Sequence, residues 1–230
     1  MVMLLPLVVA LVAATPAPAP SSSMPPTPLT EIGRVRALPA CVPIVAHANG
    51  AITQALEGDR ALAIITTNLH NTDFDKLNSL QRRNAIDALL KQAGEIRKAS
   101  KAADGEVKRL REFALNSPDP QRKVELKTFA DALGGAIYRQ QKAATEFMRG
   151  ITIMRGRDEA QNAKDLMGQT DPTLSSVTSR SRSAFATPVP DSTYNKQMQD
   201  LGDALDEMEK IILSDEGRAA DHSIAATSGC

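Results

Sequence analysis

Apolar positions recur along this chain in alternating steps of three and four, the spacing that brings side chains onto one face of an α-helix. The pattern is longest at Ile86, Leu89, Ala93, Ile96, Ser100, Ala103, Val107, Leu110 and Ala114. It predicts a helix over about 73–116, entered by a capping-box-like pair of Thr72 and Asp75. The stretch "NSPDPQR" stops it, because two prolines in three residues end one helix and start another, with Ser117 or Asp119 as cap. Leu126, Ala130, Leu133, Ile137, Gln140, Ala144, Phe147, Ile151 and Met154 then repeat the alternation and predict a helix over about 120–164. So short a turn makes the two helices an antiparallel hairpin.

Two further stripes are weaker. Val45, Ala48, Ile52, Ala55, Leu62, Thr66 and Leu69 predict a first helix over about 40–69, with Pro39 and Pro43 near its entrance and Gly58 and Asp59 interrupting the stripe. Tyr194, Met198, Leu201, Leu205, Met208 and Ile212 predict a last helix over about 191–218, followed by a loose tail over 219–230. Between the hairpin and the last helix, eleven of the residues 165–193 are Ser or Thr and three are Pro. Residues 165–192 therefore read as a flexible connector long enough to leave the direction of the last helix open. The expected fold class is all-α: an elongated antiparallel helical bundle built from a long hairpin and two shorter helices.

Composition supports helices over sheet. Aromatic residues make up 3% of the 230 residues and Trp is absent, so Ala, Leu, Ile and Met must fill the core. That diet suits close helix packing and suits strands poorly.

The amino terminus belongs to another class. Residues 1–19 begin with an uncharged apolar run too short to span a bilayer, which reads as a signal peptide with a cut after Ala14. Pro- and Ser-rich residues 20–38 read as a disordered tether, leaving residues 39–218 as the bundle. The expectation is an exported protein, periplasmic or extracellular, with no stable membrane insertion after cleavage.

Charge narrows the partners. Lys+Arg and Asp+Glu balance at 27 each, so nothing recommends a nucleic-acid partner. The distribution is uneven. Residues 75–116 carry ten basic and six acidic side chains (+4), residues 118–164 nine and six (+3), and residues 191–222 three and nine (−6). An acidic last helix is expected to dock on the basic hairpin.

Candidate chemistry is sparse. Cys41, in "ALPAC", lies too far from the apolar run to be a lipid-attachment site. In an oxidising compartment it and Cys230 offer the one intramolecular disulfide available to two cysteines, the alternative being two free or intermolecular thiols. His47, His70 and His222 lie outside the two long helices, and neither CxxCH nor paired Glu-x-x-His motifs occur, so no haem, metal or other cofactor is expected. His70 with Asp73 and Asp75 would catch a cation only weakly, since capping accounts for both acids. Nucleophile elbows and phosphate loops are lacking, so no catalytic residue is assigned. Gly134 and Gly135, side by side in a helix interior, cost about 2 kcal/mol relative to Ala. They imply close approach of another helix, a kink, or room for a ligand, with a crossing helix the preferred reading.

One short segment carries a resemblance. "LNSLQ", Leu77 to Gln81, resembles the Leu-Thr-x-x-Gln signature of small periplasmic helical chaperones, with Asn in place of Thr and one copy where that family has two. These observations point to an exported, non-enzymatic bundle acting by protein binding, chaperone-like or as an adaptor. The alternatives are a bundle housing a small ligand, haem or metal, and a homo-oligomer in which the heptad seams pair between chains.

Overall fold

The computed structural model describes residues 27–32, 41–170 and 192–227. These described residues form four helices: α1 (Val42–Asn71), α2 (Ser79–Asn116), α3 (Pro120–Thr170) and α4 (Ser192–Thr227). A 3-10 turn at Phe74–Lys76 joins α1 to α2, and the described residues include no strand. The chain is an all-α antiparallel bundle.

Each helix runs against its neighbours. Arg111–Asp131 at one end and Arg155–Asp87 at the other set α2 against α3. Glu125–His222 and Arg139–Asp215 do the same for α3 and α4. The pair Asp59 and Glu216, with His70–Asp206 further along, turns α4 against α1 as well. The direction of the last helix, left open by the connector, is thus up-down-up-down. Three neighbour contacts are extensive, while α1 and α4 meet over a smaller surface.

The two long seams form the core. All nine α2 positions and all nine α3 positions of the sequence pattern are buried within the one chain. Phe129 and Phe147 are fully enclosed, each burial worth roughly 2–3 kcal/mol. Small residues do the rest: Ala48, Ala51, Ala55, Ala93, Ala103, Ala130 and Ala143 are fully covered, which lets backbones approach closely.

Several ends differ from expectation. The Thr72–Asp75 pair does not cap α2. Asn78 does, accepting from Gln81 N at 2.9 Å while Gln81 Oε1 accepts from Asn78 N at 3.1 Å. "LNSLQ" is therefore a capping box, and α2 starts at Ser79 after a separate turn. Asp119 caps α3, its Oδ1 accepting from Gln121 N at 2.9 Å with Pro120 in the first turn. α3 continues to Thr170, so residues 165–170 of the expected connector are helical, and 171–191 lie outside the described residues.

The tail is not loose. α4 runs to Thr227, with Ala219, Ala220, Ser223 and Ala226 buried. Their small side chains continue the α4 stripe at the same spacing, a signal that low hydrophobicity conceals. The expected tether likewise docks in part. Leu29 is buried, Ile32 exchanges two backbone hydrogen bonds with the Asn49 amide (2.7 and 2.9 Å), and Thr27 donates to Asp221. The remaining tether residues described by neither segment, and residues 1–19 with their cleavage site, lie outside the described residues. No helix among the described residues is long and apolar enough to cross a membrane.

Candidate functional site

The bundle has two apolar cores. One gathers Ile52, Val107, Leu110, Phe129 and Leu133, and the other Leu62, Ile65, Ile96, Phe147 and Ile151. Between them every helix contributes polar or small groups: Gly58 and Asp59 on α1, Ser100 on α2, Gln140 on α3, and Asp215 and Glu216 on α4. Ser100 and Gln140 are fully buried, and Asp215 and Glu216 are 4% and 3% exposed.

Gln140 is the centre of this layer. Its Nε2 donates to Ala55 O at 2.9 Å and to Asp59 Oδ1 at 2.6 Å, so one amide satisfies two acceptors on the diagonal helix. Gly58 makes that reach possible, because a Cβ there would lie 2.7 Å from Gln140 Oε1. The break in the α1 stripe at Gly58 and Asp59 is thus a seat for Gln140.

Asp59 also meets Glu216 across the α1–α4 seam. Burial, then the Asp59 charge and hydrogen bond, then Asp215, push the Glu216 carboxyl up to about 9. Burial raises Asp59 too, against the lowering effect of its hydrogen bonds to Glu216 and Gln140. At neutral pH Glu216 is therefore protonated and donates to the Asp59 carboxylate. Two hydrogen-bonded carboxyls in a shared buried site resist ionising together.

Asp215 is neutralised differently. Arg139 Nη1 lies 2.8 Å from its Oδ2, and Arg218 Nη2 lies 2.6 Å from its Oδ1. Both arginines reach in from the surface. The expected match between a basic hairpin and an acidic helix takes this local form at Arg139.

Gly134 and Gly135 serve two neighbours. A Cβ on Gly134 would lie 2.7 Å from Arg111 Nη2 and 3.3 Å from Val107 Cγ1, toward α2. One on Gly135 would lie 3.0 Å from Asp215 Oδ2, toward α4. Side chains therefore fill the space above both glycines.

The three histidines each bridge helices. His47 bonds Glu106 of α2, His70 Nε2 lies 2.9 Å from Asp206 Oδ2 of α4, and His222 Nδ1 lies 2.8 Å from Glu125 Oε2 of α3. The local grouping of His70 with Asp73 and Asp75 does not form. Lys76 and Asn195 hold Asp73 instead and lower its pKa to about 2, while Asn195 Oδ1 accepts from Asp75 N.

Cys41 is 2% exposed and disulfide-bonded. Cys230, the second cysteine of the sequence, lies outside the described residues.

No nucleophile among the described residues is paired with a base in this layer. A groove of about 310 Å³ does occur, but on the outer face of α1 and α2, lined by Gln54, Arg60, Ile64, Gln92 and Lys98 among others. The buried carboxyls lie away from it. Their arrangement holds helices together and responds to protons. Comparison with protein-family models, with curated proteins and with solved structures returned no match.

Proposed function

We propose that this chain is an exported, non-enzymatic bundle that acts by binding another protein, with α4 as a releasable cover over α1 and α3. The observation that carries the reading is the make-up of the α1–α4 seam. It is the smallest neighbour contact, and the Asp59–Glu216 pair that closes it is buried, whereas the ion pairs between α2 and α3, Arg111–Asp131 and Arg155–Asp87, lie at the surface. Burying carboxyls costs desolvation that apolar burial does not, so the α1–α4 seam is the one held least tightly. Its departure would bare an apolar groove at Leu133, Phe147 and Ile151, the kind of surface that accepts a partner's amphipathic helix or an unfolded segment. The disulfide state of Cys41 and the signal-like first residues favour an oxidising compartment.

Hydrogen exchange on the intact protein tests the cover. Amides of α4 should open at lower free energy than those of α2 and α3. Deleting residues 191–230 should then increase binding of an apolar dye and of an unfolded client chain. Exchange of α4 together with the rest in one cooperative unit, or a truncated protein as inert as the full chain, ends the reading.

A further inference from the structure

We propose that His70, Asp203 and Asp206 form a surface site for a divalent transition cation of the zinc type, joining α1 to α4. One ligand atom from each of the three lies within 4.8 Å of the others, and the His70 Nε2 to Asp206 Oδ2 distance is already 2.9 Å. A tetrahedral metal with bonds of about 2.0–2.2 Å needs its ligands about 3.3–3.5 Å apart. Asp203 is exposed and closes the difference by side-chain rotation.

Three features beyond proximity point to a cation. Gly202 lies against the ring: a Cβ there would lie 3.2 Å from His70 Cε1 and 3.4 Å from Nε2, so the bare backbone lets the imidazole pack closely along α4. His70 also stands in the last turn of α1, where the negative end of the helix dipole favours positive charge. Finally, residues 200–209 carry five acids and no base. Asp203 makes no ion pair among the described residues, and Lys210 is engaged with Glu207.

The ligand set decides the metal class. One imidazole nitrogen with two carboxylate oxygens suits zinc, cobalt or nickel, whereas calcium and magnesium favour oxygen alone. His70 would offer Nε2 to the metal. Two of the ligands sit on α4 and one on α1, so the bound ion would clamp the seam. The site does not rest on the release of α4, and binding is read directly.

The test is calorimetric titration of the chelator-treated full chain with zinc chloride, with magnesium chloride in a parallel arm. The expected result is one equivalent of zinc bound, no magnesium heat, and a higher thermal midpoint with zinc. His70→Ala and Asp206→Asn should each weaken zinc binding by about tenfold or more, since loss even of a supporting outer-shell partner costs that much. His47→Ala should leave it unchanged. These side chains are solvent-reachable, and a helical dichroism spectrum verifies that each variant is folded. No zinc binding, or stoichiometric binding undiminished in both His70→Ala and Asp206→Asn, overturns the site.

Discussion

Gln140 Nε2 lies 2.6 Å from Asp59 Oδ1, so an amide on α3 crosses the bundle diagonal to a carboxylate on α1. Asp59 in turn meets Glu216 of α4, and the three residues couple three helices through groups that water does not reach freely. Such a layer ties stability to proton concentration and to single side-chain volumes.

The proton dependence has a definite sign. Glu216 is raised from 4.5 to about 9 in the folded chain. Between those values the folded state holds a proton that the unfolded state has lost, so stability falls as pH rises through the window, by at most about 1.4 kcal/mol per pH unit. Asp59 and Glu209, also raised, act in the same direction. Glu216→Gln keeps the hydrogen bond to Asp59 without the titration. Urea unfolding from pH 5 to 9 should show a declining stability for the parent and a flatter profile for the variant. A parent profile that rises over that window contradicts the shared proton.

Gly58 and Gln140 should behave as one unit. Gly58→Ala gains helix propensity worth about 1 kcal/mol but drives a methyl against Gln140 Oε1, an overpacking cost of about 1–3 kcal/mol. Gln140→Ala removes one of the two side-chain partners of Asp59 and opens a cavity, for a loss of about 2–4 kcal/mol. In the double variant the methyl occupies part of that cavity, so the two losses should combine to less than their sum. At Gly94, where nothing lies within 4 Å of a built Cβ, alanine should instead stabilise by about 0.5–1 kcal/mol. Thermal midpoints of the four proteins measure the coupling. Strict additivity at Gly58 and Gln140 would falsify the seat.

How much of this was legible beforehand differs by element. The α2 and α3 seams were read residue by residue, because Leu, Ile and Phe in a strict three-four alternation leave little room for another period. The end of α4 was not, since Ala219, Ser223 and Ala226 are too small to stand out from a polar background. Asp59 looked like a flaw in its stripe, and Gln140 like one polar member of another. Their partnership spans 81 residues of sequence and is set by packing alone, as is the meeting of His70 with Asp203 and Asp206. Local spacing carries no trace of either.

A disulfide from Cys41 to Cys230 would tie the start of α1 to the segment after Thr227, next to the end of α4 that already packs at Ala226. Thiol titration of the unfolded, unreduced protein should find no free cysteine, and its mass should rise by about 2 Da on reduction, one hydrogen per sulfur. Reduction should lower stability by about 2–5 kcal/mol. Two free thiols in freshly purified protein, or a covalent dimer, would remove the bridge.

The polar layer has a further consequence for how the helices slide. Met198, Leu205, Ile212, Ala219 and Ala226 are all buried and stand seven residues apart. Shifting α4 by one heptad along α3 would therefore exchange one apolar residue for another at nearly every level. The apolar contacts alone barely distinguish the two alignments. Asp215 and Glu216 do, because the shift would carry them into an apolar core and part Glu216 from Asp59 and Asp215 from Arg139. The layer that weakens the grip of α4 is also what fixes its register.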